Sequence, residues 1–216
     1  MTTVIFRIPR AEAISVDGID RYLEGVLGAI AAIDRDSVRR IIDVLEATWV
    51  ADRTAFLIGN GGSASTASHM MNDLNKFTAI PGKRRFRALA LTDNVPLMTA
   101  VANDADYADI FVEPLRNLAR AGDTLVAISG SGNSPNVVRA VEYALRYQIT
   151  TIGLCGSPGG RLGAIADHVV IVPAEHITQQ EDGHLVLAHT IATALRERIE
   201  RPATPGPQAE RTAVGR

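Results

Sequence analysis

The sequence predicts an α/β fold, a parallel sheet covered by helices on both faces. Two observations predict it. Five short apolar runs recur along the chain: TAFLIG (54–59), FRALAL (86–91), TLVAIS (124–129), TTIGLC (150–155) and HVVIV (168–172). Each has strand length, and most are apolar on successive residues instead of alternating, as strands buried on both faces read. Stretches with helical spacing lie between the runs, and regular strand–helix alternation argues for a parallel sheet.

In chain order, 19–52 carries two helical patterns with a break near Asp34 and Asp36. After the first run, a helix is expected from Ser63 to Phe77. A second follows the second run from Asn94 to Ala102, and a third follows the third run from Pro135 to Tyr147. At the end, Gln180 to Ile199 places Leu185, Ala188, Ile191, Ala192 and Leu195 on one stripe, the spacing of an amphipathic helix. There is no internal repeat and no sign of a second domain. We expect one domain over 1–200 with added N- and C-terminal helices. The stretch 201–216, RPATPGPQAERTAVGR, is rich in Pro, Ala and Arg and reads as a disordered tail.

Composition narrows the function. The 216 residues suffice for one sizeable core, and the formal net charge of −2 offers no excess of basic charge for nucleic acid or an anionic membrane. One cysteine, Cys155, cannot form an internal disulfide, and its place at the end of an apolar run marks it as buried filler. The opening MTTVIFRIPRAEA lacks a secretory leader's apolar stretch, and no segment approaches the length of a membrane span. These features fit a cytoplasmic protein.

Three strand ends carry small polar residues. The first run leads into Gly59-Asn60-Gly61-Gly62-Ser63, the third into Ser129-Gly130-Ser131-Gly132-Asn133-Ser134, and the fourth into Gly156-Ser157-Pro158-Gly159-Gly160. Glycines let the backbone approach a ligand, serines supply hydroxyl donors, and a following helix aims free N–H groups and a positive dipole end at the same place. Pro135 suits a first helical position. Ligands of open parallel sheets bind at such carboxyl ends. One such loop is an ordinary turn; the set indicates an anion site. Neither the dinucleotide spacing nor a P-loop is present.

The segments GNGGSASTASH (59–69), LTDNVPLMTAVANDADY (91–107), AGDTLVAISGSGNSPNVVRA (121–140) and EDGHLVLAHTI (181–191) together resemble the sugar isomerase (SIS) domain proteins, and among them the phosphoheptose isomerases. The resemblance implies a three-layer sandwich around five parallel strands and a homotetramer with active sites between subunits. It implies interconversion of sedoheptulose 7-phosphate and an aldose heptose 7-phosphate. By position, Ser63, Ser129, Ser131 and Ser134 would hold the phosphate, with Gly62 and Gly130 in the same loops. Asn60, Gly61, Asp93 and Asn94 would contact the sugar, and Glu181 would do so from the last helix. A cluster of His69, Asp73, Glu181 and His189 would bind one zinc per site, with Asp73 and His189 moving the proton. Three positions depart from the family pattern. Asp73 stands where glutamate is usual, Glu181 where glutamine is usual, and Gly130 where threonine is usual.

The chemistry of these residues agrees with that implication. His69 and Asp73 share a helical face at i, i+4. Two imidazoles with carboxylates suit zinc or acid–base work. Moving a proton between C1 and C2 of a ketose through an enediol needs one group to carry the proton and another to manage the oxygens' charge. His69 beside Met70 and Met71 also reads as a packed histidine, and His184, on another face from His189, as structural. Lys83, Arg84, Arg85 and Arg87 read as a solvated loop. Two other functions share the fold: a non-catalytic phosphosugar binder that associates with a replication initiator, and a phosphosugar sensor. The first lacks the catalytic residues, and the second carries a DNA-binding domain that the first 50 residues here do not resemble.

Overall fold

A computed structural model describes residues 18–201. The opening segment and residues 202–216 of the expected tail lie outside the described residues. The two N-terminal patterns are helices α1 (Gly18–Ala31) and α2 (Arg35–Val50). The break between them is a helix cap: the Asp34 carboxylate accepts from the N–H groups of Asp36 at 3.1 Å and Ser37 at 3.2 Å.

Five strands follow, β1 (Thr54–Gly59), β2 (Arg87–Ala90), β3 (Thr124–Ser129), β4 (Thr150–Gly156) and β5 (His168–Val172). All pair in parallel in the order β2-β1-β3-β4-β5. The chain leaves β1 outward to β2 and then returns to the other side of β1 as β3. The crevice between β1 and β3 is therefore the topological switch point, where open α/β sheets bind ligands.

Period-two geometry sends alternate residues of each strand to opposite faces, and both faces are covered. Leu57, Val126, Ile128, Ile152, Leu154 and Val170 join one core with Met70, Leu187 and Ile191. That face is covered by α2, by α3 (Gly62–Asn72) and by α8 (Ile177–Glu200), with α1 packed on α8. Phe56, Ile58, Leu125, Ala127 and Cys155 join the other core, under α5 (Val112–Leu118), α6 (Pro135–Arg146) and α7 (Gly160–Ile165). Helix α4 (Val95–Asp104) lies at the rim and has no buried residue. The three-layer sandwich expected from the sequence is present.

Three local differences have local causes. The short helices α5 and α7 lie in stretches too brief to show a helical period. The second run gives a strand of only four residues because it sits at the sheet's edge. There Asn75 takes the place of a further strand, donating to the Ala88 carbonyl at 2.8 Å and accepting from its N–H at 2.9 Å. The helix expected to Phe77 is α-helical only to Asn72 and continues as a π-helical turn, Asp73–Phe77.

Cys155 is buried as expected, and burial pushes its thiol up to about 12. His184 is fully buried, beside the Cys155 backbone near the end of β4. Burial lowers its pKa, an effect the nearby Cys155 backbone offsets only in part. His184 is thus a neutral core residue. No described helix is long and apolar enough to cross a membrane.

Candidate active site

The β3–α6 loop is built as a cradle. Ser129, the last residue of β3, is buried, and its Oγ accepts from the Gly132 N–H at 3.1 Å and lies 3.5 Å from the Ser134 Oγ. Ser134 is the N-cap of α6, yet its hydroxyl makes no cap hydrogen bond. Its hydroxyl turns instead toward that of Ser129. Ser131 stands at the exposed tip, its Oγ accepting from Asn133 N–H at 3.2 Å. Ser63 is buried in the first turn of α3. The structure thus sets the four serines at the ends of the two central strands, each at the start of or just before a helix N-terminus.

The third glycine-rich loop plays a supporting part. Its backbone interlocks with the serine loop: Gly156 N–H donates to the Gly130 carbonyl at 3.0 Å and Leu162 N–H to the Gly132 carbonyl at 2.8 Å. The Asn133 side chain accepts from Arg161 N–H at 2.9 Å. Gly130 faces α8, where a Cβ would meet the Ile177 Cδ1 at 2.2 Å. Ile177 fills the space that a side chain at 130 needs, so Gly130 serves through its backbone.

At the mouth of β1, Asn60 is half-buried and forms a reciprocal amide pair with Asn136 of α6. Each Nδ2 donates to the other's Oδ1 at 2.9 Å. The Tyr107 hydroxyl donates to Asn60 Oδ1 at 3.3 Å. Sequence reasoning missed both partners. Asn136 lies inside the SGNSPNVVRA segment, but nothing local distinguishes its amide from a solvated one. The exposed carboxylate of Asp93 accepts from Ser68 of α3 and from Thr92 at 3.2 Å. The Asn94 oxygen caps α4 through Leu97 N–H at 3.1 Å, which orients its NH2 group away from the helix end.

About two turns along α3 from Ser63 stands the titratable cluster. The His69 and His189 Nε2 atoms face each other at 2.8 Å, their rings edge to face. Asp73 Oδ2 lies 3.6 Å from the first and 3.8 Å from the second. The histidines are about half exposed, whereas the Asp73 side chain is 15% exposed and so sits behind them. Asp73 opens the π-helical turn, its carbonyl accepting from Thr78 N–H at 3.1 Å. Such turns re-aim side chains, and they occur often at functional sites.

Expectation and structure part at Glu181. Among the described residues, the donors that could share a metal are His69, Asp73 and His189. Glu181 is not among them, which corrects the four-residue set. It lies eight residues, about 12 Å of helical rise, from His189. Its carboxylate instead lies over the first turn of α3, where a Cβ on Gly62 would be 2.5 Å from both of its oxygens. That places it beside the Gly61-Gly62-Ser63 turn.

The SIS domain family matches residues 21–156. A phosphoheptose isomerase of Mycobacterium tuberculosis is 37% identical over 167 residues, covering 77% of this chain and 85% of that protein. One from Geotalea daltonii is 32% identical over 163 residues, covering 75% and 84%. Among solved structures, a phosphoheptose isomerase from Francisella tularensis superposes with a TM-score of 0.78 at 26% identity, covering 86% of this chain and all of that one. One from Neisseria gonorrhoeae gives 0.76 at 27% identity, covering 83% and 95%. The fold thus recurs in proteins of one kind, and with more than half of its length matched the chain belongs to the SIS-domain family, alongside the phosphoheptose isomerases.

Proposed function

We propose that the protein is an aldose–ketose isomerase that interconverts sedoheptulose 7-phosphate and an aldose heptose 7-phosphate through an enediol. The observation that carries this reading is the spacing of its two sites along α3. Ser63 begins the helix at the phosphate cradle, and His69 follows six residues later, roughly 9 Å along the axis. That span is comparable to an extended seven-carbon chain held by its phosphate, with C1 and C2 at the cluster. A triose phosphate would fall short of it.

In this reading, Ser63, Ser129, Ser131 and Ser134 bind the phosphate, with the backbone N–H groups of the Gly61, Gly62 and Gly130 turns beside them. Asn60, Asp93, Asn94 and Glu181 meet the sugar's oxygens. Asp73 and His189 carry the proton between C1 and C2. His69, Asp73 and His189 also suit one zinc ion: their donor separations of 2.8, 3.6 and 3.8 Å bracket the edge of about 3.3 Å expected between tetrahedral ligands at zinc distances. Three protein donors leave one position open to solvent or substrate. When bound, the ion would polarise the sugar oxygens. The half-exposed cluster and the exposed Ile19, Leu23 and Leu27 of α1 support a homotetramer, and sedimentation as a monomer at micromolar concentration would argue against it.

The test is isotopic. Incubated with sedoheptulose 7-phosphate in D2O, the protein should wash deuterium into C1 or C2, which a non-catalytic binder does not do. Ser131→Ala should weaken sugar phosphate binding by about 1–3 kcal/mol, the cost of one hydrogen bond to a charged group, and the dephosphorylated sugar should bind poorly to the wild type. Equal affinity for the two sugars would remove the phosphate reading.

A further inference from the structure

Asn60 is reached by three hydrogen bonds, and together they decide what it can offer a ligand. The Val137 backbone N–H donates to Asn136 Oδ1 at 2.9 Å. A backbone N–H can only donate, so this contact fixes which end of the Asn136 amide is oxygen. The reciprocal pair then fixes Asn60: its Nδ2 must face Asn136 Oδ1, and its Oδ1 must face Asn136 Nδ2. The Tyr107 hydroxyl donates to the same Asn60 Oδ1. Both acceptor sites of that oxygen are therefore used, as is one of the two Nδ2 hydrogens. The other hydrogen has no partner among the described residues, and Asn60 is only half-buried.

We infer that Asn136 is a positioning residue that holds Asn60 as a one-way hydrogen-bond donor, aimed at an acceptor oxygen of the bound sugar phosphate. The pair bridges β1 and β3, since Asn60 directly follows β1 and Asn136 lies in the first turn of the helix after β3. It therefore also fixes one phosphate loop against the other at the switch point. Asn136 is 1% exposed and cannot meet the ligand, whereas an unheld Asn60 could turn its oxygen to the same place and repel the acceptor. Tyr107, 57% exposed, closes the pair from the solvent side.

A double-mutant cycle on the full chain tests this, and its kinetic arm rests on the isomerase reading above. Asn136→Leu should lower kcat/KM for sedoheptulose 7-phosphate about 10- to 100-fold, because a displaced donor misplaces bound substrate. In an Asn60→Ala background the same change should cost less than about twofold, since the residue it serves is gone. Losses that multiply in the double variant would show that Asn136 acts through packing and overturn the proposal. If Asn136→Leu does not fold, Tyr107→Phe replaces it, since the exposed ring keeps its contacts and loses only the hydroxyl. It should cost about two- to fivefold alone and nothing beside Asn60→Ala; equal losses in the two backgrounds overturn the proposal. If the wild type isomerises no sedoheptulose 7-phosphate, the isomerase reading has failed by itself. The cycle is then read in calorimetric Kd for the same compound, with the same coupling expected and additivity again overturning it.

Discussion

Replacing Asp73 with Asn should lower kcat by about 10²- to 10⁴-fold, or roughly 3–5 kcal/mol, with little change in the affinity for sugar phosphate. The reason is the division of the cleft. In the proposed reading the phosphate is gripped at the start of α3, whereas Asp73 lies ten residues beyond Ser63, against the two imidazoles. Asn is nearly isosteric and keeps the packing of a side chain that is 15% exposed. It loses only the negative charge and the capacity to take up a proton. Asp73→Glu keeps both and should retain activity within about tenfold, limited by misplacement of one methylene. His189→Ala should resemble Asp73→Asn in kcat. Metal content gives a second readout: protein purified without chelator should hold about one zinc per chain, and His69→Ala should lose it. Asp73→Asn within about threefold of wild type would move the proton transfer away from this cluster.

Gly132→Ala should abolish phosphate binding and destabilise the fold by about 3 kcal/mol or more. Gly132 has φ +64°, in the left-handed region that costs an L-residue about 1–2 kcal/mol. A Cβ there would also lie 1.9 Å from the Gly159 carbonyl oxygen, a backbone atom that cannot swing away. The two loops would have to part. That would break the Leu162-to-Gly132 hydrogen bond and the Gly132 N–H contact to Ser129 that shapes the cradle. Thermal unfolding and calorimetry with sedoheptulose 7-phosphate measure the two effects. A variant with wild-type stability and affinity would show that the loops do not support one another. Ser131→Ala, by contrast, should leave stability unchanged, because Ser131 is exposed and its Oγ accepts only a neighbouring N–H.

The relation of the site to the amino-acid order differs from residue to residue. His69 and Asp73 meet because four helical residues make one turn, a relation any reader of the chain can apply, and the structure keeps it although the helix changes to a π turn at Asp73. Glu181 was grouped with His189 because they share a helix and a family pattern. The rise of that helix separates them, and the carboxylate turned instead to the open space at Gly62.

The sequence by itself determined the layers of this protein and the places where its ligand loops begin. Uninterrupted apolar runs can be buried only between two covered faces, and glycine- and serine-rich turns before helices can serve few purposes better than holding an anion. Only the tertiary structure decided how those loops lean on one another, how deeply His184 is buried, and which atoms Asn60 presents. His184 and His189 differ by five positions on one helix, yet one is sealed in the core and the other faces His69 of α3. Asn60 and Asn136 are 76 residues apart. The orientation of a side chain depends on partners brought from a distance by the packing of the sheet and its helices, and local order along the chain carries no record of those partners.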